Sequence, residues 1–251
     1  MDWGATFLKL KAPIVLFTEE SMVDEILKLR ENRPIQIITI PFTELDTWKL
    51  YKDKWVQNHQ IDPENRYHTP ELYAIWAQKP FFVEKAIEIN PFKTDYFFWM
   101  DFGAMRDPNI DQRVLNNFPH TDYFMNDKIL LQSMGNLKES DKKRGKDGIC
   151  GEKISNRWNE LRLVGGLWGG SAKACLRWKQ EYQTMLEKYF EKNRFAGKDQ
   201  IVMLSTYLEN PKLAIIVEPT LQGIDQWFFL QYLLAFKTAK GLFKLNTTYI
   251  L

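Results

Sequence analysis

Two cysteines in 251 residues, Cys150 and Cys175, are too few for a disulfide scaffold and lack metal-site spacing, which makes a reducing, cytoplasmic setting the expectation. An excess of charge is missing too. With 34 basic residues against 32 acidic ones, no global field draws the chain to nucleic acid or to an anionic membrane, so an anionic ligand must be held locally. The N-terminus lacks a basic segment followed by an apolar core and a small-residue cleavage site, which argues against a secretory signal. Its most apolar C-terminal run, Trp227 to Phe236, is interrupted by Gln231 and falls well short of the ~20 residues of a membrane helix. That run reads as core packing. Around its glycine pairs the chain fits neither G-x-x-x-x-G-K-[ST] nor G-x-G-x-x-G, which disfavours a P-loop or a dinucleotide fingerprint.

What is present suits one α/β domain. The length and 45% hydrophobic content allow a substantial core, and the 14% aromatic content serves either bulky packing or stacking walls for sugars and bases. Ile14 to Phe17 reads as a strand. Met22, Val23, Ile26, Leu27 and Leu29 repeat at helical spacing behind Ser21 as an N-cap, and the β-branched run Ile35 to Ile40 is a second strand stopped by Pro41. Such a βαβ unit favours a parallel pairing with a right-handed crossover. Leu45 to Asn65 shows no clear period and reads as a surface connection with one irregular helix.

Thr69, Pro70 and Glu71 make a strong helix start, and the helix is expected to run toward Lys79. Pro80 then kinks it or begins a second helix that ends at Asn90-Pro91. The aromatic strand Tyr96 to Met100 stops at Asp101, followed by Phe102 and Gly103. An acid leaving a buried strand stands where ligands bind in open α/β sheets, although Asp also starts ordinary turns. A strand follows at Lys128 to Met134. The charged, glycine-containing segment 136–152 is expected to be a mobile loop, either a lid or a surface insertion. Next comes LRLVGGLWGGS, Leu161 to Ser171, whose paired glycines clear room for something to lie against the main chain. Ser171 is placed to cap the following helix. Asp199 opens another helix, as a cap or as a functional acid, and Leu213 to Val217 reads as a buried strand.

In this order the elements resemble a GT-A glycosyltransferase. The pairing of LYAIWAQKPFFVEKAIEINPF with YFFWMDFGAMR, continued by GGLWGGS and KDQ, resembles the HtrL/YibB/WlaTC-like group of glycosyltransferases over most of Ala12 to Pro219. The resemblance implies a three-layer α/β/α sandwich with a mostly parallel central sheet, in one domain spanning 1–251. It implies transfer of a sugar from a nucleoside-diphosphate donor to a glycan or other hydroxyl acceptor, in surface polysaccharide or glycoprotein assembly. A non-catalytic nucleotide- or glycan-binding module of the same fold is the alternative.

The resemblance also distributes roles among the residues. Lys79 and Asp101 would face the donor diphosphate and ribose, Gly165 and Gly166 would shape the sugar pocket, and Asp199 would be catalytic. Gly103, Arg106 and Gln200 would complete the donor site. The metal would be Mn²⁺ or Mg²⁺ on Asp101, because carboxylate oxygens suit hard cations. Here the chain departs from the D-x-D pattern: Gly103 stands where the second acid belongs, so that cations such as Lys79 and Arg106 are the alternative to a metal. The first strand of the family plan is also expected to be absent, or replaced by a shortened substitute within residues 1–11.

Overall fold

The computed structural model describes residues 2–122, 127–135, 137–151, 161–219, 224–236 and 243–246. It opens with a short helix, α1 (Asp2–Phe7), after which Leu8 and Leu10 are buried. The segment 2–11 is therefore helix and core, and does not supply a substitute strand. Arg30, fully buried, fastens it by donating to the carbonyls of Leu8 at 2.9 Å and Leu10 at 2.5 Å. The strand β1 (Ile14–Thr18), helix α2 (Val23–Arg30) and strand β2 (Ile35–Thr39) follow as the apolar pattern predicts. β1 and β2 pair in parallel from Ile14 with Ile35 to Thr18 with Thr39. Ser21 does not cap α2, because it lies in a 3-10 turn, Glu20–Met22, that runs directly into the helix.

The stretch expected to be a surface connection with one irregular helix is largely helix, α3 (Asp46–Ile61), kinked at Tyr51 where φ is −130°. Thr47, Tyr51, Trp55 and Asn58 form its buried stripe. The spacing is helical but the residues mix polar and aromatic types, so hydrophobic periodicity passes over it. Thr47 is fixed by the neighbouring helix α4 (Pro70–Ile89): its hydroxyl donates to Ala74 O at 2.7 Å and its N–H to Gln78 Oε1 at 2.9 Å.

α4 starts as the sequence predicts, with the Thr69 hydroxyl accepting from Leu72 N–H at 3.3 Å, and ends at Asn90 in the left-handed region. Pro80 does not divide it. The proline removes one backbone hydrogen bond, yet Gln78, Lys79, Pro80 and Phe81 are all buried, so packing holds the turn together. Lys79 accordingly lies in the middle of a 20-residue helix and not near its end.

The strand β3 (Tyr96–Met100) has the span expected of it. Then come α5 (Pro108–Asn117), β4 (Ile129–Gln132), α6 (Glu139–Lys142), β5 (Leu167–Ser171), α7 (Ala172–Glu191), α8 (Asp199–Glu209), β6 (Ala214–Pro219), α9 (Phe229–Leu233) and β7 (Phe243–Asn246). Ser171 caps α7, accepting from Ala174 N–H at 3.2 Å. The larger sheet has the order β3-β5-β4-β6-β7. It is mixed: β4 and β6 are parallel, while β3–β5, β4–β5 and β6–β7 are antiparallel.

The side chains of this sheet divide between two cores, as period-2 alternation requires. Ile129, Leu131, Ala214 and Ile216 face the helices α3, α4, α7 and α8, whereas Leu130, Ile215 and Val217 face α1, α2, α5 and α9. The result is the expected α/β sandwich with helices on both faces. An apolar cavity of about 380 Å³ lies between β1 and β3, lined by Ile14, Phe17, Phe82, Phe97 and Trp99.

Of the segment expected to be mobile, residues 137–151 are described, and they are tied down. Arg144 makes a two-pronged contact with Glu209, 2.6 Å from Nη1 to Oε1, and Arg194 holds the Asp147 carboxylate. Ile149 is fully buried. Its polarity therefore belongs to ion pairs against α8 and the turn after α7, so the described part has the contacts of a fixed element.

Candidate functional site

β3, β4 and β6 run in the same direction, so their carboxyl ends lie along one edge of the sheet, where open α/β sheets place ligands. Antiparallel β5 starts at that edge, which brings Gly165 and Gly166 beside Asp101. The Asp101 N–H donates to Gly166 O at 2.8 Å and extends the β3–β5 ladder by one step. The turn is closed by Ala104 N–H on Asp101 O at 2.9 Å.

Lys79 reaches this edge from the middle of α4. Its ammonium donates to Gly165 O at 3.1 Å and stands 2.8 Å from Asp199 Oδ2 and 3.2 Å from Asp101 Oδ1. A lysine has three N–H donors, and here three acceptors surround them. The contact with Asp199 is an ion pair set off the direction of a well-formed hydrogen bond. Lys79 is thus occupied within the protein. It holds two carboxylates at the edge where a diphosphate is expected.

Asp199 is the first residue of α8 and does not cap it; its Oδ1 accepts from the Gln200 N–H at 3.0 Å. Gly165 lies directly on this carboxylate. A Cβ at 165 would come within 2.7 Å of Asp199 Oδ2, so the glycine allows the main chain to cover the acid. Burial raises the Asp199 pKa, and the like charge of Asp101 adds to the effect against the pull of Lys79. Burial alone would lower Lys79; the Asp199 and Asp101 carboxylates outweigh it and hold the ammonium charged.

Asp101 differs from Asp199 in access. Its side chain is 40% exposed, against 5% for Asp199, so Asp101 is the acid that a ligand can touch. Trp99 Nε1 donates to Asp101 Oδ1 at 2.6 Å, and Lys79 approaches the same oxygen. Oδ2 is left facing the space over Gly166, where a Cβ would come within 3.2 Å of it.

The other expected residues divide cleanly. Gln200 contributes its backbone N–H to Asp199, as described above. Arg106 is engaged elsewhere, with Nε on Gly103 O at 2.6 Å and the guanidinium 4.3 Å over the Trp3 ring. Gly103 thereby shapes the turn after Asp101 and is not joined to Lys79 or Asp199. Gly169 and Gly170 serve the sheet: a Cβ at 169 would come within 2.3 Å of Phe97 O and one at 170 within 2.8 Å of Lys128 O. The room they clear is filled by β3 and by the chain entering β4.

A residue that sequence reasoning placed in the core is also here. Trp227 Nε1 would lie 3.5 Å from a Cβ on Gly166, the same position that Asp101 Oδ2 approaches to 3.2 Å. Within an aromatic run that lacks any period, nothing in the sequence separates it from its buried neighbours Phe229 and Leu230.

Asp101 Oδ2 is a single accessible oxygen ligand, and the Lys79, Asp101 and Asp199 charges sum to one negative. Mg²⁺-type ions are commonly held by one or two carboxylates together with substrate phosphates and water, so this donor set suits a cation that arrives with a phosphorylated ligand. A second carboxylate cluster, Asp62, Glu64 and His68, has ligand atoms within 4.8 Å of one another. Its members already have partners: Asp62 Oδ2 accepts from Tyr73 OH at 2.6 Å and from His68 Nδ1 at 2.8 Å, while Lys198 pairs with Glu64. This cluster ties the turn before α4 to the start of α8.

The chain belongs to the HtrL_YibB family, whose model, described as "Bacterial protein of unknown function (HtrL_YibB)", matches residues 2–235. It is similar to "Protein HtrL" of Escherichia coli (strain K12), with 24% identity over 234 residues, covering 88% of this chain and 76% of that protein. Among the described residues no helix is long and apolar enough to cross a membrane.

Proposed function

We propose that this member of the HtrL_YibB family is a GT-A-type glycosyltransferase that moves a sugar from a nucleoside-diphosphate donor to a hydroxyl of a glycan acceptor. One observation carries the reading. Asp101 leaves the carboxyl end of β3, an outer strand of the larger sheet, with Oδ1 tied by Trp99 and Lys79 and with Oδ2 open over a glycine. This is a rigid, half-exposed anion at the edge where α/β sheets bind ligands.

In the transfer, the bond from the anomeric carbon to the diphosphate oxygen breaks, the acceptor oxygen bonds to that carbon, and the acceptor proton is lost to solvent. Positive charge grows on the sugar ring as the first bond lengthens. A preorganised site with one net negative charge stabilises that charge without reorganising, which is where an enzyme gains most. Asp101 is the group in contact with the substrate. Asp199, buried under Gly165, acts through Lys79 and is taken as a positioning residue in place of the catalytic role that the resemblance implies. A divalent cation held by Asp101 and the donor phosphates would supply charge neutralisation for the departing diphosphate.

The burial of Asp199 also favours a second reading, a module that binds nucleotide sugars without turnover. A panel of UDP-, GDP-, CDP- and dTDP-sugars separates the two. Transfer or donor hydrolysis that Asp101→Asn lowers at least 100-fold, with an unchanged melting temperature, supports the enzyme. Thermal stabilisation without turnover supports the module, and no response to any donor overturns both.

A further inference from the structure

We infer that Trp227 is one wall of the donor-sugar subsite and that its indole N–H, together with Asp101 Oδ2, reads a sugar hydroxyl. This deepens the glycosyl-transfer reading and rests on it. The first support is the way the residue is held. Gln132, buried at the carboxyl end of β4, accepts from Leu230 N–H at 2.6 Å through Oε1 and donates to Gln226 O through Nε2. Asp225 Oδ1 accepts from the Trp227 N–H at 2.8 Å. The main chain on both sides of Trp227 is therefore fixed to the central sheet and to its own turn, and the indole is presented from a rigid base.

The second support is chemical. The Trp227 side chain is partly buried, yet its Nε1 donates to no acceptor among the described residues, although indole N–H groups in such settings ordinarily find one. Asp101 Oδ2, an acceptor, borders the same position over Gly166. A Cβ at 166 would lie 3.5 Å from the donor and 3.2 Å from the acceptor. A donor and an acceptor that border one position match a hydroxyl, which accepts from the first and donates to the second. A phosphate oxygen only accepts, so it satisfies one of the two. A carboxylate oxygen has two lone pairs, so service to a cation on one leaves the other for the hydroxyl.

The third support is the glycine itself. Gly166 leaves open the space that any side chain would fill beside the indole N–H and the Asp101 carboxylate. A sugar carries hydroxyls around its rim, and the hydroxyls of the donor's sugar are absent from the free nucleoside diphosphate.

The test is to titrate the full chain, as wild type, Trp227→Phe and Trp227→Leu, with UDP, GDP, CDP and dTDP and with their common sugar conjugates, by calorimetry. The wild type is expected to bind one conjugate more tightly than the matching nucleoside diphosphate. Trp227→Phe keeps the ring and loses the N–H, and should weaken the conjugate about tenfold, the scale of one hydrogen bond, while leaving the nucleoside diphosphate within twofold. Trp227→Leu should weaken the conjugate further. In ¹⁵N–¹H spectra the indole cross-peak missing from Trp227→Phe should shift in the wild type when the conjugate is added and stay still with the nucleoside diphosphate.

Equal weakening of both ligands accompanied by a lower melting temperature would mark Trp227 as structural and overturn the inference. So would unchanged affinity of the conjugate in both variants, with donor binding itself intact. If the wild type binds neither nucleotides nor their sugars, the glycosyl-transfer reading fails and the subsite falls with it.

Discussion

Lys79 Nζ stands 2.8 Å from Asp199 Oδ2, a buried ion pair between the middle of α4 and the first residue of α8. Removal of one partner strands the other. Lys79→Met should cost roughly 3–5 kcal/mol in urea unfolding, because it leaves Asp199 buried without its cation. Asp199→Asn should cost less, since Lys79 keeps Asp101 and Gly165 O. The cost of the double variant should fall short of the sum of the two single costs by about 0.5–3 kcal/mol. Strict additivity would mean that the pair is not the unit described.

The adjacent glycines should respond differently to the same change. Gly165→Ala drives a methyl to within 2.7 Å of Asp199 Oδ2, and the buried carboxylate is held by Lys79 and cannot retreat. A loss of about 1–3 kcal/mol is expected, the usual range for overpacking. Gly166→Ala meets Asp101 Oδ2 at 3.2 Å and Trp227 Nε1 at 3.5 Å, contacts that nearly fit. Its melting temperature should stay close to that of the wild type while donor binding falls. Equal melting temperatures for the two variants would contradict the close cover over Asp199.

These residues show what the sequence discloses and what it hides. β3 and Asp101 are legible because an apolar run ending in an acid is a local signal. Gly165 and Gly166 are legible as glycines, but that one covers Asp199 and the other faces Trp227 depends on β5 running antiparallel to β3, which no local pattern records. The place of Lys79 inside one helix is not legible because Pro80 reads as a kink or as the start of a second helix, whereas burial of the surrounding turn offsets one lost hydrogen bond. α3 is legible only as one irregular helix in a surface connection, and its buried face stays hidden because Thr47 and Asn58, two of the residues on that face, are polar and satisfied only by distant partners: Ala74 and Gln78 for Thr47, and Ala196 N–H for Asn58. The ion pairs that anchor residues 137–151 also join positions far apart in the chain, and there charge imitates looseness.

Asp101 is a single carboxylate, so cation and nucleotide should bind as a pair. Calorimetry should find Mn²⁺ alone binding no tighter than millimolar, and nucleoside diphosphate binding at least tenfold tighter when Mn²⁺ is present. By linkage, the nucleotide raises the affinity for Mn²⁺ by the same factor. Asp101→Asn should abolish the gain and leave the weaker, cation-free binding in place. Tight Mn²⁺ binding without nucleotide would point to further protein ligands, and a nucleotide affinity indifferent to Mn²⁺ would leave charge neutralisation to other groups.

The last prediction concerns pH and lies outside the site. Asp111, in α5, is buried, and its Oδ1 has no hydrogen-bond partner among the described residues. Burial raises its pKa to about 6 against a hydrogen bond from the Asp107 main chain that lowers it, and the Asp107 charge adds to the rise. The folded state therefore binds this proton more tightly than the unfolded chain does, where the ordinary carboxylate value is 3.8. Between those two values the native state carries more protons, so the contribution of Asp111 to stability falls as pH rises through the window and stays low above about pH 6. Asp111→Asn removes the charge and keeps the shape. In denaturant titrations the variant should gain on the wild type from about pH 4 to pH 6, with the gain constant beyond. A difference that is flat from pH 4 to 8 would show that the Asp111 carboxyl titrates in the native state as it does in solvent, and one that grows toward low pH would show that the fold favours its charged form.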